Sequence, residues 1–347
     1  MLQPIRTALA SFGLSGRVFH APFLINNPFY KLTTVLERSK NLSRAIIPEV
    51  KTVRNYAEIL NDKDIELVII NTPDNLHFDM AKKALKAGKN VVVEKPFTKL
   101  YEEAEELVLL AEKLGLILTV YQNRRFDGDF MTLQKVLETN ILGRIVEFES
   151  RMDRFTPEIS SVWREKDTGR NGALFNLGSH MIDQAVFLFG KPDKITAFLM
   201  KQRSGTRIDD YCDIKLHYSG LSVNLKSSYL AADPGPRFRI NGEKGSLVIY
   251  GFDRQEYDLK KSAGIPIIGK IPSEEIMKLV IIKKGRAVSE CKVVKKGNYG
   301  SYYDLLFKAI REGKSPPVTS EQILLNMQML EQAVKSDVSG RTISMEE

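Results

Sequence analysis

Short apolar runs alternate with helix-patterned segments through the first third of the chain, and this alternation limits the fold more than any other feature. A strand that is apolar along nearly its whole length is buried on both faces, as in a parallel sheet covered by crossover helices. The runs at 7–11, 32–36, Leu67–Ile70, Asn90–Val93 and 117–121 read as such strands. Between them, 76–87 and Tyr101–Leu114 carry apolar residues at helical spacing, and Gly88 and Gly115 stand where a helix ends. The doubly wound pattern stops near Tyr121.

Beyond a helix over 126–138 the grammar changes. Alternating strands are predicted at 145–152, 194–199, Tyr211–Tyr218, 222–229, 238–241 and 246–250, with helices at 299–311 and 321–334. The expected architecture is α/β: a doubly wound domain over 1–121, then an α+β domain over 122–347 with a large, mostly antiparallel open sheet. In 221–229 one strand face is Leu221, Val223 and Leu225, and the other is Ser222, Asn224, Lys226 and Ser228. A face of small, mostly uncharged residues suits either solvent or a second subunit.

A chain of 347 residues exceeds what one core usually supports, in keeping with two domains. No run approaches the ~18 apolar residues that would span a bilayer, and the first ten residues lack a signal pattern, so a cytoplasmic protein without a membrane partner is expected. Two cysteines, Cys212 and Cys291, offer no metal spacing and at most one bridge. The formal charge of +8 comes from lysines in scattered pairs without aromatic interleaving, which reads as solvated surface and not as a nucleic-acid interface.

Ser11-Phe12-Gly13-Leu14-Ser15-Gly16 lies between the first strand and a helix and matches GxGxxG, with serine in the first glycine's place. Gly13 lets the backbone approach a pyrophosphate, Gly16 permits close helix packing, and the helix N-terminus favours negative charge. Glu37 falls at the spacing expected of a ribose-binding carboxylate, which favours NAD. Arg38 and Ser39, followed by Lys40, supply instead the guanidinium and hydroxyl that favour the 2′-phosphate of NADP, and NADP is the expected cofactor, with NAD the alternative. Asn71, Thr72, Pro73 and Asn75 follow the fourth strand at the sheet edge where nucleotides lie, with His77 just inside the next helix. Glu94-Lys95-Pro96 follows Asn90–Val93, and Asn176-Leu177-Gly178-Ser179-His180 comes far downstream. A lysine at the end of a buried strand and a histidine able to join it are equipment for moving a proton at an alcohol or carbonyl carbon.

These residues carry a resemblance over essentially the whole chain to the glucose-fructose oxidoreductase/inositol dehydrogenase family (Gfo/Idh/MocA) of NAD(P)-dependent sugar and polyol dehydrogenases. The matching strings are 13–20, Asn71-Thr72-Pro73, Glu94-Lys95-Pro96, 123–127 (Asn123-Arg124-Arg125-Phe126-Asp127) and 178–183. Residues 17–22, Trp163-Arg164-Glu165 and 250–256 look most like the branch containing NADP-dependent scyllo-inositol dehydrogenases. The resemblance implies a Rossmann domain, an open sheet that makes a homodimer or homotetramer contact, and a lysine at position 95 touching substrate and nicotinamide ribose. The family's usual DxxxH has Asn176 in place of its aspartate.

The expected chemistry is hydride transfer between nicotinamide and a secondary alcohol of a polyol or sugar. His180 is the general base, and Lys95 holds the substrate oxygen. Asn123, Arg125, Trp163, Arg164, Asn176 and His180 are the expected substrate residues. Two rival readings are a non-catalytic dinucleotide-sensing regulator on the same fold and an enzyme that recycles a bound NAD.

Overall fold

The computed structural model describes residues 3–160, 165, 170–261 and 275–345. The chain divides into two units, one of Met1–Phe126, Arg254–Ile271 and Asn298–Leu324, the other of Asp127–Asp253, Pro272–Gly297 and Leu325–Glu347. The domain boundaries expected from the sequence treat each half as continuous, whereas here each unit takes segments from distant parts of the chain.

The first unit holds β1 (Ile5–Leu9), β2 (Tyr30–Leu36), β3 (Lys51–Val53), β4 (Leu67–Ile70), β5 (Asn90–Val93) and β6 (Leu118–Val120). They form a parallel sheet in the order β3-β2-β1-β4-β5-β6, which reverses direction at β1/β4. β3 escaped the sequence reading because three residues, one exposed, are too few for periodicity to register. The connections include α1 (Ala21–Ile25), α2 (Leu42–Ile46), α3 (Tyr56–Asn61), α4 (His77–Lys86) and α5 (Tyr101–Leu114). Gly88 and Gly115, at φ +74° and +64°, take the left-handed conformation that closes α4 and α5. The core around Ile5, Leu9, Val35, Leu67 and Val92 is completed by Tyr299, Tyr302, Tyr303 and Leu306, about 180 residues beyond β6.

The second unit carries α6 (Gly128–Glu138), β7 (Ile145–Arg151), α7 (Ser179–Phe189), β8 (Lys194–Met200), β9 (Tyr211–Tyr218), β10 (Leu221–Ser228), β11 (Phe238–Gly242) and β12 (Gly245–Tyr250). α8 (Gln255–Lys261) belongs to the first unit; β13 (Ile276–Lys283) and β14 (Arg286–Val293) return to the second. α9 (Gly300–Glu312), in the first unit, is followed by α10 (Ser320–Ser339), which crosses the division, and by β15 (Ile343–Ser344). Among the described residues the sheet has nine strands in the order β14-β13-β12-β11-β7-β10-β9-β8-β15. It is antiparallel except where β10 runs parallel to β7. β13, β14 and β15 were not anticipated. All eight residues of β14 are exposed, so no buried face writes an alternation into the sequence, and β15 is two residues long.

Candidate active site

In the first unit, the residues singled out for the nucleotide follow the carboxyl ends of parallel strands. Ser11 follows β1, Glu37 β2, Asn71 and Thr72 β4, and Glu94 and Lys95 β5. A cleft of about 710 Å³ opens here, lined by Ser11, Phe12, Gly13, Leu14, Arg38, Ser39, Thr72 and Pro73 among others. Ser11 closes the turn that its missing glycine would otherwise make: its Oγ accepts from the Gly13 amide at 3.2 Å. A Cβ on Gly16 would lie 2.5 Å from the Ser11 carbonyl oxygen and 2.8 Å from Asn71 Nδ2, so only glycine fits. Gly16 starts a π-helical turn, Gly16–His20, in which the Ala21 amide donates to the Gly16 carbonyl.

The polar atoms around this turn are suited to a bound dinucleotide. Asn71 donates from Nδ2 to the Ser11 carbonyl at 2.9 Å, which leaves Asn71 Oδ1 buried without a hydrogen-bond partner. Thr72 Oγ1 is buried and unpartnered as well. Unsatisfied buried polar atoms cost free energy, and a ligand presenting hydroxyls and amides recovers it.

Glu37 departs from the sequence expectation. It is buried, and its carboxylate accepts from the Leu42 amide at 3.1 Å, the Ser43 amide at 2.9 Å and Ser43 Oγ at 2.6 Å. Three protein donors turn it into the anchor of the first turn of α2. Arg54, which the sequence reading passed over, braces the same loop by donating to the carbonyls of Glu37 and Lys40, at 2.6 and 2.5 Å, and to Asn41. Arg38, Ser39 and Lys40 are exposed along the cleft.

Asn75 is exposed in the 3-10 turn Asp74–Leu76. His77 is buried, with Nδ1 at 2.9 Å from the Pro96 carbonyl and Nε2 at 3.0 Å from the Thr72 carbonyl. It fixes two loops against each other, a framework role where a cofactor contact was expected. The peptide bond joining Lys95 to Pro96 is cis. Glu94 accepts from Ser15 Oγ and lies 3.1 Å from His20 Nε2, while His20 Nδ1 lies 2.6 Å from the Tyr303 hydroxyl. Burial pushes the Glu94 carboxyl up, but the His20 contact, Ser15 and the Lys95 charge outweigh it and bring it down to about 2. Glu256, on α8, behaves alike: burial raises it, while the charges of Arg124, Lys260 and Lys95 carry it down to about 2. Lys95 is thus a half-buried cation acting on two ionised carboxylates.

Asn123 and Arg125 are buried. The Arg125 guanidinium donates to the Pro317 carbonyl at 3.1 Å and to Gln322 Oε1 at 2.8 Å, which makes it a strut for that loop where a substrate contact was expected. Trp163 and Arg164 lie outside the described residues.

In the second unit, Asn176 sits in a π-helical turn, Leu174–Gly178, that runs into α7. Its Nδ2 donates to the Tyr229 hydroxyl at 3.2 Å. His180 follows one turn later, 3% exposed. Asp209 Oδ2 accepts from the Leu174 amide at 2.8 Å and so caps this helical stretch; burial pushes its carboxyl up to about 6, against its backbone donors. The Arg154 guanidinium carbon lies over the Tyr229 ring, 3.7 Å from its centroid. Neither Tyr229 nor Arg154 stood out in the sequence, because a tyrosine and an arginine just past the ends of β10 and β7 read as ordinary sheet-flanking residues.

A parallel sheet reversing at β1/β4, a glycine turn at that reversal and unsatisfied polar groups beside it define a dinucleotide-binding fold. The chain belongs to the oxidoreductase family whose models match it twice: residues 5–122 match the NAD-binding Rossmann fold and residues 134–345 the C-terminal alpha/beta domain. It is similar to scyllo-inositol 2-dehydrogenase (NADP(+)) IolW of Bacillus subtilis, at 35% identity over 99% of this chain and 97% of that protein. It is also similar to an uncharacterized oxidoreductase of Schizosaccharomyces pombe, at 37% identity over 99% of this chain and all of the other. Among solved structures, a putative oxidoreductase of Bacteroides fragilis superposes with TM-score 0.89 at 40% identity, covering 99% of this chain and all of that one. Among the described residues no helix is long and apolar enough to cross a membrane.

Proposed function

We propose that the protein is an NADP-dependent dehydrogenase acting on a secondary alcohol of a polyol or sugar. The observation that carries the cofactor preference is the occupation of Glu37. A carboxylate free in the cleft would accept from a ribose 2′-hydroxyl and repel a 2′-phosphate. Here it is engaged by Leu42 and Ser43, while Arg38, Ser39 and Lys40 remain along the cleft. The relative named as an NADP(+)-dependent inositol dehydrogenase supports the same choice and suggests the substrate class.

When bound, NADP supplies the hydride acceptor. The Ser11–Gly16 turn and Thr72 would hold its phosphates and ribose, and Arg38 and Ser39 would hold the 2′-phosphate. The chain's own task is the proton of the substrate hydroxyl. His180 takes it, since imidazole exchanges protons near neutral pH, and Lys95 holds the oxygen and stabilises the negative charge that develops as the proton leaves. Asn176 hydrogen-bonds a neighbouring hydroxyl. The working form is a homodimer or homotetramer assembled through the outer face of the nine-stranded sheet, in a cytoplasmic setting.

A panel of inositols and aldoses incubated with NADP or NAD, followed at the absorbance band of the reduced nicotinamide, tests this reading. Release of reduced NADP with one of them is the expected result. Cofactor binding without net reduction on any substrate would favour a dinucleotide sensor or an enzyme that recycles its bound cofactor.

A further inference from the structure

Arg154 lies just past the end of β7, where its amide donates to the Ser228 carbonyl at 2.9 Å and its carbonyl accepts from the Ala231 amide at 3.1 Å. Both backbone groups of Arg154 are therefore tied into the sheet, and its side chain projects from a fixed base. The guanidinium lies over Tyr229, and Asn176 donates to the hydroxyl of the same ring. Tyr229 is thus a floor shared by Arg154 and by the segment that leads to His180.

A second arginine near this ring shows what a structural guanidinium looks like here. Arg203, 5.1 Å from the Tyr229 centroid, has Nε on Asp210 at 2.8 Å, one terminal nitrogen on Glu165 at 2.8 Å, and the other on the carbonyls of Thr156 and Glu158. Arg154 has none of this. Among the described residues its guanidinium makes no ion pair; its hydrogen-bonding partner is the Tyr229 side chain beneath it, and its Nε is buried without a partner. Among the described residues, Asp153 and Asp209 are engaged elsewhere: Asp153 accepts from the Ser228 amide and lies 3.7 Å from Arg151, and Asp209 caps the helical stretch at Leu174. Burial pushes the Tyr229 phenol up against the pull of the Arg154 charge, so the ring stays neutral and supplies no counter-ion.

We propose that Arg154 is an anion-recognising residue of the substrate site, and that the preferred polyol or sugar carries a carboxylate or phosphate beside the hydroxyl to be oxidised. A guanidinium fork binds either oxyanion through paired N–H groups, and the contact with the Tyr229 ring holds the guanidinium in place before the ligand arrives. This rests on the dehydrogenase reading for placing a substrate beside Asn176, but binding can be measured without turnover.

Calorimetric titration of the full chain with D-glucuronate, D-glucose 6-phosphate and neutral D-glucose, on the wild type, Arg154→Gln and Arg154→Lys, tests it. Expected is at least tenfold tighter binding of one anionic sugar over glucose, with the better of the two identifying carboxylate or phosphate. Loss of charged hydrogen bonds should reduce that preference by about ten- to a hundredfold in Arg154→Gln, with part retained in Arg154→Lys. No preference for either anion, or one that Arg154→Gln leaves intact, overturns the proposal. Should the glutamine variant fail to fold, as read by thermal melting, the lysine variant decides: it keeps charge without the fork, and an unchanged preference counts against Arg154. Anion binding that depends on Arg154 but never leads to oxidation would leave this site standing and remove the dehydrogenase reading. Oxidation of a neutral polyol with no anion preference would do the reverse.

Discussion

At the scale of single residues, the sharpest consequence concerns cofactor choice. With Glu37 engaged by α2, Arg38 and Lys40 are the charged side chains of this loop left along the cleft, and Arg38 alone offers a guanidinium fork. Arg38→Ala should lose about 1.5–3 kcal/mol of NADP affinity while changing NAD affinity little, since only NADP offers a phosphate to a guanidinium. Paired titrations of the two cofactors check this, and equal losses would make Arg38 a bystander. His180→Ala should lower turnover by roughly a hundredfold to ten-thousandfold with NADP affinity kept, because a general base acts on the chemical step and not on the glycine turn. Near-normal turnover would remove His180 from the mechanism. Asn176 tests the electrostatics of that base. A carboxylate one helical turn before His180 favours the imidazolium, so Asn176→Asp should move the acidic limb of the oxidation rate to higher pH. An unmoved limb with altered substrate affinity would leave Asn176 a hydroxyl-binding residue only. The places of the glycine turn after β1 and of Lys95 after β5 were legible because apolar runs mark the strands that precede them. The engagement of Glu37 was not, since its donors at Leu42 and Ser43 come from a helix that local spacing does not reveal.

At the scale of elements, the start of the α7 segment carries a pH-dependent cost. Asp209 caps it, yet burial lifts the carboxyl from the ordinary 3.8 to about 6. A carboxyl that holds its proton more tightly folded than unfolded contributes most below about pH 4, and that contribution is lost as pH rises through about 6. Asp209→Asn keeps an oxygen for the Leu174 amide and removes the charge. Relative to wild type, its unfolding free energy should rise by about 2–3 kcal/mol between about pH 4 and pH 7. Chemical denaturation at several pH values measures this, and a constant difference across the range would show that Asp209 is not strained by its burial. The long elements were read from the sequence with small errors at their ends. Leu67–Ile70, Asn90–Val93, Tyr101–Leu114 and Tyr211–Tyr218 match in full, because each buries a face with a clear period or a continuous apolar run. The edge strands β3, β14 and β15 were missed for the complementary reason: pairing, and not burial, makes them strands.

At the scale of the whole molecule, the outer face of the nine-stranded sheet carries the assembly prediction. Phe198 on β8 and Ile282 on β13 are 55% and 51% exposed, more apolar surface than a strand facing only water usually keeps. Replacing both with aspartate should shift the protein to a smaller species in sedimentation velocity, with the melting temperature of each unit's core little changed. An unchanged sedimentation coefficient would mean that the face is solvated.

The sequence alone determined that this chain would pair a doubly wound nucleotide-binding sheet with a largely antiparallel one, because burial periodicity is local and survives without knowledge of partners. It also determined which motif residues lie at the carboxyl ends of the parallel strands. Tertiary structure decided what those residues touch. Tyr303 reaches His20 from 283 positions away, Arg125 donates to Pro317 and Gln322, and among the described residues Arg154 is left without an ion-pair partner over Tyr229. A hydrogen bond depends on distances of a few ångströms between side chains far apart in the chain, and no local pattern encodes it. Which polar groups are satisfied, and which wait for a ligand, is therefore a property of the fold.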